Sequence, residues 1–484
     1  MKKTLKSESN QLNIIVNGFH NRSHFKVVER ICRDFKVQYV AHVFSKEIFP
    51  LPKGTKGDFF DYEEVLYYGN YSLDLEELTP LDAELVEQMK PTESVVLNMM
   101  TRLEKYKSYG FNSRREIYLQ HLKVWNHIIQ EKRIGLFISS NVPHLVFDYI
   151  IYDLCRMNKI PAIILKQTQI HGVFTIFSSW EKFRPSIKAR YCHYLKQKEV
   201  NLSTNFAREY QKQTGQDAPP FYMKKTGLSR RVARYLKTII NERRWGHRLK
   251  FGSRQALTGL NIAFRTRHLM GYYERIATRA DFSKKYIYLP LHLQPEMTTS
   301  PCAGVFADQS LMIELLASVL PRNYYLYVKE NPKQTTLMRS RQYYQRIKKL
   351  KRVVLISRKE NTFNLINHST AVATATGTAG WESLFRGKSV IMFGYDFYQY
   401  APGVIKVESL EDAKRAIEFI QNQKNLPSLK QMKAFLKAYE TVCTVGFVDP
   451  VYAQAGSISH KQNEINLIKT LENYMIKLGF KIND

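Results

Sequence analysis

The sequence predicts an α/β fold of two Rossmann-like domains facing each other across a cleft. Three observations carry that expectation. The chain has 484 residues, more than one ordinary domain accommodates. Short β-branched runs alternate with helix-like stretches, which implies parallel strand pairing. The alternation gives way to a strongly basic segment and then restarts near Tyr286.

The elements follow in order. Residues 12–18 form a β-branched run ending in Gly18, then a helix over about 22–35 and a second strand at 37–43. Residues 44–91 read as loop-rich and acidic. Ser113 and Glu116 have the spacing of a capping box, predicting a helix that runs to about Lys132. A strand at 135–139, a helix at 145–157 and a strand at 160–165 complete the first set. The second set has strands at 286–291, 324–329, 353–356, 371–374 and 389–393. Helices are expected at 309–320, 335–350 and 379–386, with Gly387 placed to end the last. Helices at about 410–421, 428–440 and 462–478 close the chain. The resulting division is a first Rossmann-like domain at 1–205, a basic helical linker at 206–284, a second Rossmann-like domain at 285–425, and C-terminal helices at 426–484 that pack back on the domains.

Composition narrows the class. Apolar residues are 44% and charged residues 24%, a globular balance. Lys plus Arg number 73 against 43 Asp plus Glu, a net charge of +30. The cysteines Cys32, Cys155, Cys192, Cys302 and Cys443 are scattered, with no CxxC pair, which excludes a disulfide scaffold or zinc ribbon and fits a reducing cytoplasm. No apolar run reaches the roughly 18–20 residues of a membrane span. The basic start is not followed by an apolar signal core.

The charge is concentrated. Between Lys224 and Lys285 there are seventeen Lys/Arg and three acids. From Arg230 to Lys250, Val232, Tyr235, Leu236, Ile239, Ile240 and Trp245 share one side of a helix, with arginines and lysines largely elsewhere. A basic amphipathic helix with aromatics suits an anionic bilayer surface. The pattern equally fits a solvated face packed against its own protein. Nucleic-acid binding has less support, because no recognition motif accompanies the charge.

Candidate chemistry lies at strand ends, where open α/β sheets bind ligands. The stretch from Leu289 to Gln309 holds His292, Gln294, Glu296, Asp308 and Gln309. Asp308 also reads as a helix cap. Tyr327 to Gln334 follows another strand: Lys329 is placed to neutralise a phosphate, Asn331 to hydrogen-bond a base or sugar, and Pro332 to fix the turn. An ordinary strand-to-helix turn explains these residues as well. Thr374 to Glu382 runs from a strand through small residues into a helix. There Gly377, Thr378 and the first helical amides would approach an anion, and Glu382 would accept from ribose hydroxyls. Tight helix–strand packing is the alternative. This turn is neither GxGxxG nor Walker A. In the first domain, Asn17 to His20 follows one strand and Ser139 to His144 another. His144 and Asp148, four apart, would share a helix face as a hydrogen-bonded pair for acid–base or nucleophilic work. A structural cap with an exposed carboxylate is the plainer reading.

Together the runs LPLHLQPE, TTSPCAGVFADQ, LYVKENPKQ, TATGTAGWESLFRGKSVIMFG and YAPGV, in this order, resemble the capsule polysaccharide synthesis family. That family includes bacterial transferases of 3-deoxy-D-manno-octulosonic acid (Kdo) and of nonulosonic acids such as pseudaminic acid. SSNVPHLVFDYIIYDL resembles the corresponding first-domain segment. The resemblance implies a GT-B fold with the donor on the second domain and the acceptor on the first. It implies a CMP-activated sugar acid as donor, a lipid-linked or oligosaccharide acceptor and retention of configuration; Lys329 and the amides around Gly377–Ala379 would stabilise the departing CMP, so no metal and no cofactor are expected. Gln294-Pro295 matches the family's Gln-Pro motif, whereas Asn331-Pro332 stands where related enzymes carry His-Pro. Donor contacts would come from Gln294, Pro295, Lys329, Asn331, Pro332, Thr376, Gly377, Thr378, Ala379 and Glu382. The catalytic candidates are Asp148, His144, Glu296 and His20, with Asp148 the first candidate for a carboxylate nucleophile and Glu296 the alternative. The expected site of action is cytoplasmic, peripheral to the inner membrane through the Lys224 to Lys285 segment. A UDP-sugar or CDP-glycerol transferase, and a non-catalytic glycan- or lipid-binding assembly protein, are the competing readings.

Overall fold

The computed structural model describes residues 12–45, 47–48, 50–105, 109–215, 245–422, 426–449 and 458–482. Two sheets organise them. The first has seven strands: β1 (Leu12–Asn17), β2 (Val37–Phe44), β3 (Lys56–Asp61), β4 (Leu136–Ser139), β5 (Ala162–Gln167), β6 (Val173–Phe177) and, near the end of the chain, β13 (Cys443–Val445). Their order is β13-β6-β5-β4-β1-β2-β3. The pairs from β3 to β5 are parallel, and β6 and β13 are added antiparallel. The second sheet comprises β7 (Lys285–Pro290), β8 (Tyr324–Lys329), β9 (Val353–Ile356), β10 (Ala371–Thr374), β11 (Ser389–Met392) and β12 (Val404–Lys406). It is parallel throughout, in the order β12-β11-β10-β7-β8-β9. Both sheets therefore reverse strand order beside their first strand, which is the doubly wound Rossmann topology. The architecture is the expected two-domain α/β fold of GT-B type.

Period-two alternation explains why both faces of each sheet are covered. In β1, Ile14 and Val16 enter one apolar layer with Val27, Ile31 and Leu471, while Ile15 enters the other with Trp125 and Ile150. In the second sheet Ile287, Leu289, Leu326 and Val328 face the helix Gln309–Val319. Tyr286, Tyr288 and Tyr327 line the opposite layer, with Tyr286 and Tyr327 stacked at 4.1 Å. Trp381, Phe397 and Tyr398 share one apolar cluster with residues of the first domain, so the domains are packed on each other.

Several local expectations change. The helix Phe111–Glu131 begins before Ser113, with Gly110 as its N-cap and no side-chain cap, so Ser113 and Glu116 are not a capping box. Residues 44–91 hold β3 and the helix Tyr62–Tyr68, because the edge pairing of KGDFFD with β2 supplies the order its composition does not advertise. The helices expected at 145–157 and 335–350 are shorter, Phe147–Met157 and Arg341–Lys348. Most of the basic stretch from Arg230 to Lys250 lies outside the described residues. A helix over Trp245–Ile276 is described, and its last turns bury Leu269, Met270 and Tyr273 in the second domain. After residue 426 the chain returns to the first domain. The helix Leu429–Glu440 packs on Ser186–Leu195, and His460–Lys477 packs on Arg22–Asp34. No helix among the described residues is long and apolar enough to cross a membrane.

Candidate active site

The strand-order reversals lie between β1 and β4 in one sheet and between β7 and β10 in the other. Their following loops meet. Arg102 donates to the carbonyl of His144, after β4, and at 2.6 Å to the carbonyl of Ser300, after β7. Lys166 near the end of β5 pairs with Asp396, after β11, at 2.6 Å. The carboxyl ends of the two sheets therefore face each other, and the crevice between them is where such sheets bind ligands.

On the second-domain wall, the loop after β7 is fixed by a closed set of amides. Gln294 is buried. Its Nε2 donates to Ala307 O at 2.6 Å, and its Oε1 accepts from Gln309 Nε2 at 2.7 Å and Arg339 Nη1 at 2.5 Å. Its backbone N–H donates to Gln334 Oε1 at 2.9 Å, and Gln334 Nε2 returns a bond to its carbonyl at 3.1 Å. Arg339 in turn pairs with Glu330 at 2.7 Å, with side chains 1% and 0% exposed. Tyr344 adds a hydroxyl bond to the same carboxylate oxygen at 2.8 Å. With its side-chain groups engaged inside the protein, Gln294 acts by shaping the loop that carries Pro295 and Glu296. Asp308 is the N-cap of Gln309–Val319, its side chain accepting from Ser310 N, as the plainer reading held.

His292 joins the two second-domain loops. Its Nε2 lies 3.0 Å from Thr374 Oγ1 and accepts from the N–H of Ala375 at 3.2 Å. Accepting a backbone N–H requires a lone pair there, so the ring is neutral with its proton on Nδ1. Burial and the nearby Arg339 cation push its pKa down to about 4, in keeping with that form. The turn it supports is tight. A Cβ on Gly377 would lie 2.8 Å from Thr374 Oγ1 and 3.0 Å from His292 Cε1. Thr376 donates from its hydroxyl to Thr298 O at 2.7 Å, tying the β10 and β7 loops together. Thr378 opens the seven-residue helix Thr378–Leu384, on which Ala379 and Glu382 are buried.

Lys329 and Asn331 depart from their expected roles. Lys329 is buried, and its ammonium donates to Glu360 O at 2.6 Å and Thr362 Oγ1 at 2.9 Å. Desolvation lowers its pKa to about 8. It holds the β9–helix loop. Asn331 uses its Oδ1 to accept from Lys333 N at 3.0 Å, a local turn ahead of which Pro332 is exposed. These residues build the strand-to-helix turn.

On the first-domain wall, the expected ring-to-carboxylate pair is not formed. His144 precedes the helix, and its Nδ1 lies 2.6 Å from Val142 O. That partner is an acceptor, so Nδ1 carries the proton and Nε2 the lone pair. Asp148 is 1% exposed. It accepts from the backbone N–H groups of His144 at 3.1 Å and Leu145 at 2.6 Å, and from Asn17 Nδ2 at 3.4 Å. These bonds secure a γ-turn: Phe147 N bonds Leu145 O at 2.9 Å, with Val146 at φ 73 and ψ −79. A valine in that region is strained, and such strain clusters at functional sites. Burial raises the Asp148 pKa to about 6 despite its N–H donors and the Arg102 cation. The same burial, with Arg102, lowers His144 to about 4. Gly18 lets the β1 loop approach β4; a Cβ there would fall 1.7 Å from Ser140 Oγ, and its φ is +78. His20 follows, packed near His42 and Tyr62, with its pKa lowered by burial. His20 Nδ1 and His24 Nε2 are buried without a hydrogen-bond partner among the described residues.

Arg102, Arg339 and Glu330 were not singled out by sequence reasoning. Arg102 sits in the short 3-10 helix Met100–Lys105, and nothing local in the sequence marks Glu330 or Arg339. Arg102 is nevertheless the cation that feels both Asp148 and Glu296, one carboxylate from each wall.

Residues 222–443 match the model of a family described as capsule polysaccharide biosynthesis proteins. The matched stretch contains every second-domain motif from Leu289 to Val404. No curated relative matches the chain. Among solved structures, UDP-GlcNAc 2-epimerase of Methanocaldococcus jannaschii is similar at 12% identity, covering 89% of this chain and 99% of its own, with a TM-score of 0.28. Two structures of Thermosulfurimonas dismutans KpsC are also similar. The beta Kdo 2,7 transferase has 11% identity, coverage of 80% and 97%, and a TM-score of 0.29. The beta Kdo 2,4 transferase has 12% identity, coverage of 69% and 87%, and a TM-score of 0.31.

Proposed function

We propose that the protein is a glycosyltransferase of bacterial capsule or surface-polysaccharide assembly. It transfers a 2-keto-3-deoxy sugar acid, Kdo or a nonulosonic acid such as pseudaminic acid, from its CMP-activated form to a lipid-linked or oligosaccharide acceptor. The observation that carries this reading is the capsule-biosynthesis match over the domain whose strand-end loops meet those of the first domain at Arg102. A crevice between two Rossmann-like sheets suits a nucleotide-linked donor on one wall and an acceptor on the other.

In this reading the reacting carbon passes through an oxocarbenium-like state flanked by a carboxylate. Asp148 is assigned that place, with Glu296 on the opposite wall, and configuration is retained. Arg102 between them balances the negative charge of the sugar acid. The Gly377 amide donates to Thr374 Oγ1 at 3.0 Å and holds the turn, while the start of the helix at Thr378 and Ala379 faces the leaving nucleotide, and no metal is needed. Gln294, Lys329 and Asn331 serve by holding the loops in place. The enzyme works at the cytoplasmic face of the inner membrane. Leu260 and Phe264, 68% and 65% exposed and one helical turn apart beside Arg265 and Arg267, support contact with an anionic surface.

The test is release of CMP from a panel of CMP-sugars in the presence of a lipid-linked oligosaccharide acceptor. Turnover with a 2-keto-3-deoxy sugar acid, lost in Asp148→Asn with folding intact, is expected. Absence of turnover with every CMP-sugar would overturn the reading. Thermal-shift screening with CMP, CDP and UDP separates it from UDP-sugar or CDP-glycerol transfer.

A further inference from the structure

A cavity of 560 Å³ lies away from the crevice, where the helices Ser186–Leu195, Thr204–Thr214 and Leu429–Glu440 converge. Its size is within the roughly 300–1,000 Å³ of ligand sites. Its lining combines Lys198, Lys430 and Lys433 with Tyr194, Tyr210 and Asn201; the acid on its wall is Glu199. Tyrosine rings offer flat apolar faces with a polar edge, and the lysines supply positive charge over long stems. Lys433 Nζ stands 5.9 Å from the centre of the Tyr210 ring, so charge and ring face the same space. Flat rings, ammonium groups and a side-chain amide together match a chain of sugar rings that carry carboxylates.

One residue of the cavity lining also reaches the second domain. Tyr210 packs edge-on to Phe385 at 6.2 Å, and Glu209 beside it accepts from Trp381 Nε1 at 3.1 Å. Trp381 belongs to the short helix that follows the Gly377 turn. The cavity wall is thus braced by the element that carries the candidate nucleotide loop.

We propose that this cavity is a second glycan site, holding an anionic stretch of the acceptor oligosaccharide away from the point of transfer. The proposal rests on the reading of the protein as an acidic-sugar transferase and adds to it a docking place for the growing chain. The site would hold the acceptor through charge and ring stacking, without taking part in the chemistry.

Calorimetric titration of the full chain with a tetramer of α2,8-linked sialic acid tests it, with maltotetraose as the neutral probe. The tetramer should bind at least tenfold more tightly than maltotetraose. Its affinity should fall at least tenfold in Lys430→Glu/Lys433→Glu. It should stay within twofold in Lys348→Glu/Lys349→Glu, which makes the same charge change on the second domain's surface. Circular dichroism melts verify folding of both variants. Equal weakening by the two double variants, or no tetramer binding to the unaltered chain, overturns the proposal. CMP release is measured on the same preparations. Tetramer binding at the cavity without turnover of any CMP-sugar would keep the site and remove the transferase reading; turnover without cavity binding would do the reverse.

Discussion

On the second-domain wall, Gln294, Gln309, Gln334, Arg339 and Glu330 bond to one another in a closed set. On the first-domain wall, His20 Nδ1 and His24 Nε2 are buried with no partner among the described residues, and a strained γ-turn leans on Asp148. The two strand ends share a topology and differ in how their polar groups are satisfied. A closed network holds a loop in one shape before any ligand arrives. Buried groups without partners are costly alone and gain when something polar is brought to them. Under the proposed function, the contrast suits a rigid wall that receives a constant nucleotide and an open wall that receives a sugar.

Breaking the closed side should cost most. Arg339→Met leaves Glu330 buried and uncompensated, so unfolding free energy in urea should drop by about 3–5 kcal/mol. Replacing both partners, Glu330→Leu with Arg339→Met, should recover most of that loss.

The open side should show itself in pH dependence. The Asp148 pKa is raised by folding, from 3.8 to about 6. Its contribution to stability is therefore full below pH 4 and is lost as pH rises through 6. Asp148→Asn should lack that decline, which amounts to roughly 3 kcal/mol between pH 4 and 7. Arg102→Ala removes charged donors from one carbonyl on each wall. A loss of about 2 kcal/mol is expected, with the Asp148 titration moving above 6 because its neighbouring cation is gone. The smallest effect belongs to His20→Ala. Its Nδ1 has no bond to lose, so stability should change by less than about 1 kcal/mol, while KM for the acceptor rises at unchanged KM for the donor. A large loss of stability there would erase the contrast between the two walls.

The sequence disclosed the sheets well, because β1, β4, β7 and β10 are β-branched or apolar runs bounded by turn residues. It hid β3, β6, β12 and β13, which lie at or next to the sheet edges and take their order from pairing with neighbouring strands. It located the strand-end loops that meet across the crevice, since these follow strong strands. It did not show which side chains hold those loops in shape. Lys329 after a strand resembles a phosphate ligand, and only the fold reveals that its ammonium donates hydrogen bonds to Glu360 O and Thr362 Oγ1. His144 and Asp148 are four apart, yet the chain turns between them before the helix begins. Arg102 gains its place from His144 and Ser300, which are 42 and 198 residues away. No local pattern encodes such distances.

The placement of β13 has a consequence for how the protein is made. Thr175 in β6 bonds Val442 at the threshold of β13, 267 residues later in the chain. Ribosomes add residues at about 5–20 per second, so β6 waits on the order of tens of seconds for its outer neighbour. During that time the second domain can form while the first still carries an open strand edge, a template for unwanted pairing. Emergence of β13, in the last tenth of the sequence, would therefore be the step that seals the first domain.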